Sequence, residues 1–232
     1  MEKIETSCIR VSDGLFCLYC KSKNIIKNGY TKNKKQQYCC KTCNKRFIDY
    51  YTNIAYTTSI NKSIIQLTKE GLGIRSTARV LQISTITLLK RIIIIAKGIK
   101  SPPIYNSKVY EVDEMRAYLK RKNSPIWLVY ALERKTKRVV SFAIGRRTLR
   151  TLQHVTNTLL LSSAKRIYTD GLKQYATLLT PKIHKVKRYG TNQIERNNLS
   201  IRTHLKRVNR KTICYSKSYI LLMCVLRIYF WG

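Results

Sequence analysis

The stretch KVYEVDEMRAYL, residues 108–119, combines β-branched and aromatic residues with three carboxylates. It follows Ser101-Pro102-Pro103, which breaks the preceding helical pattern and marks a domain boundary. Neighbouring side chains of a strand point to opposite faces, so Glu111 and Asp113 share one face and Glu114 takes the other. The stretch therefore predicts a first strand that carries an acidic site.

The elements downstream of this strand alternate between strand and helix patterns. In chain order they are strands over 126–132 and 138–144, a helix over 148–161, a strand over 166–169, a helix over 171–179, a strand over 182–187 and a helix over 191–208. Three strands, helix, strand, helix, strand, helix is the order of the ribonuclease H-like fold, a mixed sheet with helices on its faces. We therefore predict an α/β, ribonuclease H-like catalytic domain over residues 104–232.

Two isolated acids lie in the basic remainder of the chain. From residue 134 onward the carboxylates are Asp170, at the end of the fourth strand, and Glu195, in the first turn of the last helix. Adjacent strand and helix ends can bring both acids to Asp113. Clustered carboxylates raise one another's pKa unless cations neutralise them.

Two Mg²⁺ or Mn²⁺ ions, roughly 3.5–4 Å apart, would turn this cluster into a phosphoryl-transfer site. One ion activates the attacking hydroxyl or water, and the other stabilises the leaving oxygen. Glu114 is the alternative to Asp113 as the first metal ligand. Glu111 is a candidate to contact the ligands without binding the metal itself. Taken singly, Asp170 also fits a turn acid, and Glu195 fits a charge that the start of a helix favours.

The charge of the chain points to a polyanionic partner. Its 232 residues carry a formal net charge of +35, which opposes compaction unless a polyanion neutralises it. Double-stranded DNA is the expected partner, and a basic membrane-surface protein is the competing interpretation. A compositional bias toward Lys explains part of the excess. Hydrophobic residues make up 44%, enough for a packed core. The absence of an apolar leader or spanning stretch predicts a soluble intracellular protein.

Cysteines near the N-terminus have the spacing of a zinc site. They form two pairs with two residues between the members: Cys17, Cys20, Cys40 and Cys43. Thiolates in this pattern bind zinc tetrahedrally, and Asn28-Gly29 between them predicts a hairpin turn. We therefore predict a zinc ribbon over residues 14–50. Cys39 leaves the second pair ambiguous by one residue, and unrelated reduced cysteines are the alternative.

Residues 56–98 predict three short helices. Gly71 ends the first, Ser76 and Ser84 are candidate caps of the second and third, and small Ala78 suits a close helix crossing. This is a helix-turn-helix pattern whose third helix would enter the major groove of DNA, and a helical linker is the alternative. Candidate DNA contacts on the third helix are Thr85, Thr87, Lys90 and Arg91.

The last helix of the catalytic domain is strongly basic. Asn198 and Arg202 lie three and seven residues beyond Glu195, so we expect them on its face and near the scissile phosphate. A solvated basic face is the alternative. The candidate DNA contacts of this region are Arg196, Asn198, Arg202, Arg207 and Arg210. His184 is either a neighbour of the site or an ordinary surface histidine.

The segments EVDEM (111–115), YTDG (168–171) and IERNNLSIRTHLKRVNRKTICYSKS (194–218) resemble the catalytic domain of the insertion sequence one family of bacterial transposases. The resemblance covers nearly the whole chain, because that family also carries an N-terminal zinc-binding segment and a helix-turn-helix. The sequence departs from the family at Arg116 and Leu172, where an aromatic residue is usual.

The resemblance implies an Asp-Asp-Glu enzyme with Asp113, Asp170 and Glu195 as its catalytic triad. It implies binding to the terminal inverted repeats of an insertion element, strand cleavage, and transfer of the 3′-hydroxyl into target DNA. A homodimer or higher oligomer in the bacterial cytoplasm, at the nucleoid, follows from that activity. Two other functions compete: a non-catalytic DNA-binding regulator, which has no use for the acids, and a nuclease that hydrolyses without joining.

Overall fold

The computed structural model describes residues 14–48, 59–209 and 212–232, and the chain divides after residue 58 into two compact units. The three domain ranges expected from the sequence, 14–50, 56–98 and 104–232, stay a prediction. Their residues between 49 and 58 lie outside the described residues, as do residues 210 and 211.

The first unit contains an antiparallel sheet in the order β1-β2-β3. Its strands are β1 (Ile25–Tyr30), β2 (Gln36–Cys40) and β3 (Arg46–Ile48). The predicted turn at Asn28-Gly29 is wrong, because both residues lie inside β1. Gly29 adopts a positive φ of 69°, and the pairing with β2 shifts register beside it, as at a β-bulge. The hairpin turn lies at residues 31–35 instead, where Thr31 N donates to Lys35 O at 2.9 Å.

The second unit is built on a five-stranded mixed sheet in the order β6-β5-β4-β7-β8. Its strands are β4 (Val109–Tyr118), β5 (Pro125–Glu133), β6 (Val139–Gly145), β7 (Arg166–Tyr168) and β8 (His184–Lys185). Strand β5 pairs antiparallel with both β4 and β6, whereas β7 and β8 run parallel to β4. The predicted strands are confirmed, although the last is shorter than expected.

The helices of this unit are, in chain order, α1 (Ile60–Lys69), α2 (Ile74–Val80), α3 (Thr85–Gly98), α4 (Leu149–Leu161), α5 (Lys173–Leu178), α6 (Asn192–His204) and α7 (Tyr219–Trp231). Ser84 caps α3 as predicted, since its side chain accepts from Thr87 N at 3.1 Å. Ser76 is not a cap, because α2 already begins at Ile74 after Gly73. Helix α6 ends at His204, and residues 206–208 form a separate 3₁₀ turn.

Alternation along β4 divides the core between the two faces of the sheet. Tyr110 and Val112 pack in the core on the side of α4 and α5. Met115 and Ala117 pack on the other side, in a core shared with α6 and α7. Helices α1–α3 belong to this second core, and Arg227 of α7 donates to the carbonyl of Ile99 just after α3. The face of β4 that carries Asp113 therefore lies on the side of α6.

In the part of the chain that the structure describes, no helix has the length and apolar character needed to cross a membrane.

Candidate active site

The acidic cluster is built by the parallel pairing of β4 and β7. Glu111 lies opposite Tyr168 in that pairing. Asp113 and Asp170 each follow two residues later, so they lie at neighbouring positions. Asp113, Glu114 and Asp170 each offer a carboxylate oxygen, and these atoms lie within 4.8 Å of one another. The structure therefore brings together two of the three predicted catalytic acids and adds Glu114 to them.

Asp113 is half-buried, and each of its carboxylate oxygens accepts a hydrogen bond. Oδ1 accepts from the backbone N–H of Glu114 at 2.8 Å, and Oδ2 accepts from Asn198 Nδ2 at 2.6 Å. Burial raises the pKa of Asp113 to about 6, and the negative charges of Glu114 and Asp170 act in the same direction against these hydrogen bonds. A carboxylate in this position gains stability from a nearby cation.

Asp170 is exposed and lies in the turn that follows β7, two residues after the end of the strand. Its Oδ1 accepts from Leu172 N at 3.1 Å, and Gly171 has a positive φ of 86° that permits the reversal. His184 reaches the same turn, with Nε2 2.8 Å from Thr169 Oγ1. His184 is therefore a neighbour of the site, which decides between the two alternatives that its sequence position left open.

The donor set fits a hard divalent cation. Asp113, Glu114 and Asp170 supply carboxylate oxygens only, which suits Mg²⁺ or Mn²⁺ better than zinc. The pKa of Asp113 is raised chiefly by burial and further by the charges of Glu114 and Asp170, and a bound cation would offset both. Asp113 and Asp170 would hold the cation, because Asp170 is exposed and Asp113 is half-buried, whereas Glu114 is buried.

Glu114 differs from Asp113 in its partners. As the strand alternation predicted, its side chain leaves the Asp113 face: one oxygen accepts from Arg147 Nη2 at 3.0 Å, and the other accepts from the hydroxyl of Tyr175. Arg147 in turn lies over the ring of Trp127. The Glu114 carboxylate is buried and paired, although it stands close to the other two acids. No pattern in the sequence indicated Arg147 or Tyr175.

Glu195 is exposed in the first turn of α6, where the hydroxyl of Thr191 donates to its Oε1 at 2.7 Å. Within the described residues the clustered carboxylates are those of Asp113, Glu114 and Asp170, and Glu195 lies outside that cluster. Its helix is nonetheless attached to the site, because Asn198, three residues later, donates to Asp113. Its assignment as the third catalytic acid stays a prediction.

Asn198 lies in a different place from the expected contact with a phosphate. It is buried at 8% exposure, with Nδ2 donating to Asp113 and Oδ1 accepting from the hydroxyl of Tyr130 at 2.8 Å. The helical period explains this position, because Ile194, Asn198 and Ile201 form the face of α6 that packs on the sheet. Tyr130 stands opposite Asp113 in the β4–β5 pairing and was not indicated by the sequence.

The other predicted DNA contacts are distributed over several surfaces. Arg196 is exposed and lines a cavity with Lys137, on a different flank of α6 from Glu195 because successive helical residues are 100° apart. Arg202 is half-buried. Arg207 donates to Ser216 Oγ at 3.2 Å, and burial lowers its pKa, which indicates a structural role. Arg210 lies outside the described residues.

Helix α3 presents only part of its predicted DNA-contacting set. Thr85 and Lys90 are exposed, and Arg91 is half-buried. The hydroxyl of Thr87 lies 2.8 Å from Ser84 Oγ, within the cap of the helix. Thr85 and Lys90 are therefore the residues of this set that face solvent.

Glu111 supports the site from beneath α6. Its side chain is fully buried, and Oε2 accepts from the backbone N–H of Ile194 in the first turn of the helix at 2.9 Å. Arg134 Nε lies 3.2 Å from the other oxygen as an ion pair. Glu111 thus satisfies one of the unpaired N–H groups of the α6 terminus and fixes the turn that carries Glu195.

Replacing Glu111 with Ala should lower the free energy of unfolding by roughly 1–3 kcal/mol, because a buried N–H group and Arg134 lose their partner. Denaturant unfolding of the full chain would measure the change. Glu111→Gln keeps an acceptor for Ile194 N and should recover part of the loss. Equal stability of wild type and Glu111→Ala would contradict the capping role.

The four predicted zinc ligands come together in the first unit. Cys17 Sγ lies 3.5 Å from Cys43 Sγ, and Cys20 Sγ lies 3.5 Å from Cys40 Sγ. Zinc bound to four sulfurs at about 2.3 Å would hold them about 3.8 Å apart, so the cluster has the size of a tetrahedral site. Cys39 lies outside the cluster, which agrees with the choice of Cys40.

The backbone favours the charged form at Cys17 and Cys40, whose pKa values are lowered, whereas burial and hydrogen bonds within the cluster raise the pKa of Cys20 and Cys43. The N–H of Tyr19 points to Cys17 Sγ at 3.4 Å. Burial acts to raise the pKa of the Cys40 thiol, but hydrogen bonds from the Cys43 backbone and the Cys20 thiol outweigh it and lower the pKa. The four sulfurs therefore fit a zinc ion.

Residues 108–230, more than half of the chain, match the family model described as IS1 transposase. Insertion element IS1 protein InsB of Shigella flexneri is 38% identical over 108 residues, which are 47% of this chain and 82% of that protein. Insertion element IS1 2 protein InsB of Escherichia coli K12 is also 38% identical over 108 residues, 47% of this chain and 65% of its own length. The chain therefore belongs to the IS1 transposase family, as the resemblance predicted.

Among solved structures, a cryoEM structure of the simian T-cell lymphotropic virus intasome in complex with PP2A regulatory subunit B56 gamma is similar at a TM-score of 0.38. The identity is 15%, over 70% of this chain and 66% of that one. A similarity of that size is too low to define the fold.

Proposed function

We propose that the protein is an Asp-Asp-Glu DNA transposase that binds the terminal inverted repeats of an insertion element, cleaves a strand and transfers its 3′-hydroxyl into target DNA. One observation carries the proposal: Asp113 and Asp170 lie side by side at adjacent parallel strands in a chain of the IS1 transposase family. The sheet order, with Asp113 on the central strand, supports a ribonuclease H-like catalytic domain.

The reaction proceeds by displacement at phosphorus. Cleavage adds water across one phosphodiester bond and leaves a 3′-hydroxyl and a 5′-phosphate. In transfer, the 3′-oxygen forms a new bond to a target phosphorus while the target strand's own 3′-oxygen leaves and takes a proton. One P–O bond forms as one breaks, so no energy source is required. Bound Mg²⁺ or Mn²⁺ would supply the stabilisation of negative charge on the attacking and leaving oxygens.

Each acid has a separate part in this scheme. Asp113, fixed by two hydrogen bonds, and Asp170, on its exposed turn, would hold the cations. Glu195 would complete the ligand set from α6, where it is exposed to solvent. The net charge of +35 supports binding of the two DNA partners, because phosphate contacts dominate affinity.

DNA recognition is assigned to the N-terminal modules. Helices α2 and α3 would act as the helix-turn-helix, with the exposed Thr85 and Lys90 facing DNA. The zinc ribbon would be the second DNA-binding module. Joining two element ends calls for two active sites, so a homodimer or a larger assembly on the bacterial nucleoid is part of the proposal.

A strand-transfer assay tests the proposal. Labelled duplex DNA with the terminal repeats of the flanking element is incubated with the full chain and Mg²⁺ or EDTA, and wild type is compared with Asp170→Ala. We expect joined products that require metal and are lost in the variant. Metal-dependent hydrolysis without joining would favour a nuclease, and binding of the ends without cleavage in any metal would favour a regulator.

A further inference from the structure

We propose that Tyr130 is a positioning residue of the metal site: acting through Asn198, its hydroxyl fixes the Asp113 carboxylate in the orientation that binds the cation. Tyr130 lies on β5, directly opposite Asp113 on β4. The inference rests on the metal site of the proposed function, and it adds residues that touch neither the cation nor DNA.

The Asn198 side chain connects the two residues. Its Oδ1 accepts from the Tyr130 hydroxyl at 2.8 Å, and its Nδ2 donates to Asp113 Oδ2 at 2.6 Å. A primary amide has a donor end and an acceptor end, so its two partners decide which way it points. The ionised Asp113 carboxylate can only accept, so it takes the Nδ2 end of the amide, and the Tyr130 hydroxyl donates to the Oδ1 end and holds the side chain in that orientation.

This orientation matters for the cation. If the amide turned around, its oxygen would lie against the Asp113 carboxylate, and the repulsion would push that carboxylate out of its present rotamer. With the amine in place, Oδ2 is fixed by Asn198 and Oδ1 by the backbone N–H of Glu114. Both oxygens then hold a constant position beside Asp170.

Tyr130 also fixes the helix that carries Glu195. Its hydroxyl lies 3.1 Å from the carbonyl oxygen of Ile194, while the N–H of the same residue donates to Glu111. The first turn of α6, which contains Glu195, is thus contacted at the carbonyl and at the N–H of Ile194, and α6 is contacted again at the side chain of Asn198. One hydroxyl therefore links the positions of the two acids that β4 and α6 contribute.

The surroundings keep this hydroxyl in place and protonated. Tyr130 has no exposed surface, and its ring stacks on Phe230 of α7 with centroids 5.8 Å apart. Burial raises the pKa of Tyr130, and Asn197 Nδ2 approaches the hydroxyl as a further donor at 3.3 Å. The hydroxyl is consequently a hydrogen-bond donor throughout the physiological pH range.

The test compares two buried tyrosines on the full, zinc-loaded chain. Tyr130→Phe removes the hydroxyl under study. Tyr110→Phe is the matched control, because Tyr110 is equally buried but donates to the carbonyl of Tyr105 and packs in the core on the side of α4 and α5. Binding of Mn²⁺ without DNA is measured from the free Mn²⁺ signal in electron paramagnetic resonance.

We expect Tyr130→Phe to raise the Mn²⁺ dissociation constant about tenfold, the effect of losing a residue that orients a metal ligand. Tyr110→Phe should change it by less than about twofold. Asn198→Ala should have an effect of similar size, and adding Tyr130→Phe to it should change little, because both act through one contact. A Tyr130→Phe variant that lost the wild-type circular dichroism spectrum would show a structural role of the hydroxyl and would contradict the inference.

Three further results would overturn the inference: equal Mn²⁺ affinities of the two Phe variants, additive effects of Tyr130→Phe and Asn198→Ala, or no Mn²⁺ binding by the wild type. The proposed function fails separately. Wild type that binds Mn²⁺ with the expected loss in Tyr130→Phe, yet gives no joined DNA, would retain the positioning role and reject the transposase. Joined DNA with an unchanged Mn²⁺ affinity in Tyr130→Phe would do the reverse.

Discussion

Replacing Cys40 with Ser should release zinc from the protein and unfold the first unit. Among residues 14–48, the part of that unit that the structure describes, the hydrophobic core is very small, and its buried members are Cys17, Cys40 and Phe47. So small a core cannot offset the conformational entropy of folding, whereas structural zinc contributes about 10–16 kcal/mol of apparent binding free energy in comparable modules. Zinc content by elemental analysis, and protection of the amides of β1–β3 from hydrogen exchange, would measure the loss.

Cys39 provides a closely matched control. It is the neighbouring residue on the same strand, and its thiol lies outside the cluster of four sulfurs. Cys39→Ser should keep one zinc per chain and the protection of the strands. If Cys39→Ser lost zinc while Cys40→Ser retained it, the second ligand pair would be shifted by one residue. Wild type purified without zinc would reject the ribbon itself.

Strand and helix positions in the second unit could be predicted because both backbone periods are visible in the sequence. The strand over 109–118 is rich in β-branched and aromatic residues, and the helix over 149–161 follows helical spacing. Helix α7 was missed for the opposite reason: Tyr219–Trp231 is apolar on nearly all sides, so it has no period that distinguishes a helix from another apolar run. Its packing against α1, α3 and the sheet explains that composition.

In the first unit, the turn dipeptide Asn28-Gly29 predicted the position of the hairpin wrongly. Asn28-Gly29 has the dipeptide that favours a tight hairpin, but Gly29 uses its positive φ for a bulge inside β1. Both structures require the same backbone conformation, so the dipeptide alone does not distinguish them. The pairing partner decides: β2 pairs with β1 on both sides of the dipeptide, at Lys27 and at Tyr30.

The acidic site was only partly visible in the sequence. Asp113, inside the first strand, and Asp170, just after a later strand, stand out as acids in a basic chain, and the structure places them together. Asn198 was expected near the scissile phosphate because it lies three residues beyond Glu195, yet the helical period turns it toward the sheet. Tyr130 and Arg147 reach the site only through the pairing of strands, and one sequence does not reveal that register.

Replacing Glu195 with Gln should lower strand cleavage by at least about 10²-fold, because losing a metal ligand costs more than losing a residue that orients one. Gln has nearly the same shape and still accepts from the hydroxyl of Thr191, so the start of α6 should stay intact. The cleavage rate in Mg²⁺, with DNA binding measured by mobility shift, separates lost chemistry from lost binding. We expect binding to be largely unchanged.

Glu114→Gln is the comparison that decides which acid completes the triad. Glu114 is closer to the cluster than the sequence implied, but its two oxygens are already engaged by Arg147 and Tyr175 in the protein interior. Recruiting it to a cation would leave the buried hydroxyl of Tyr175 without its acceptor, at a cost of about 1–3 kcal/mol, and would break the ion pair with the exposed Arg147. We therefore expect Glu114→Gln to lower stability and to reduce cleavage less than Glu195→Gln does.

Glu195 has the properties of a ligand that remains available. It is exposed, it accepts from one hydroxyl, and its helix is fixed to the Asp113 strand by Asn198 and Glu111. A rotation of its side chain toward Asp113 and Asp170 breaks only the contact with Thr191, which water can replace at the surface. If cleavage instead survived Glu195→Gln and disappeared in Glu114→Gln, the third acid would be the neighbour of Asp113 on β4. The role of α6 would then be limited to holding Asp113 through Asn198.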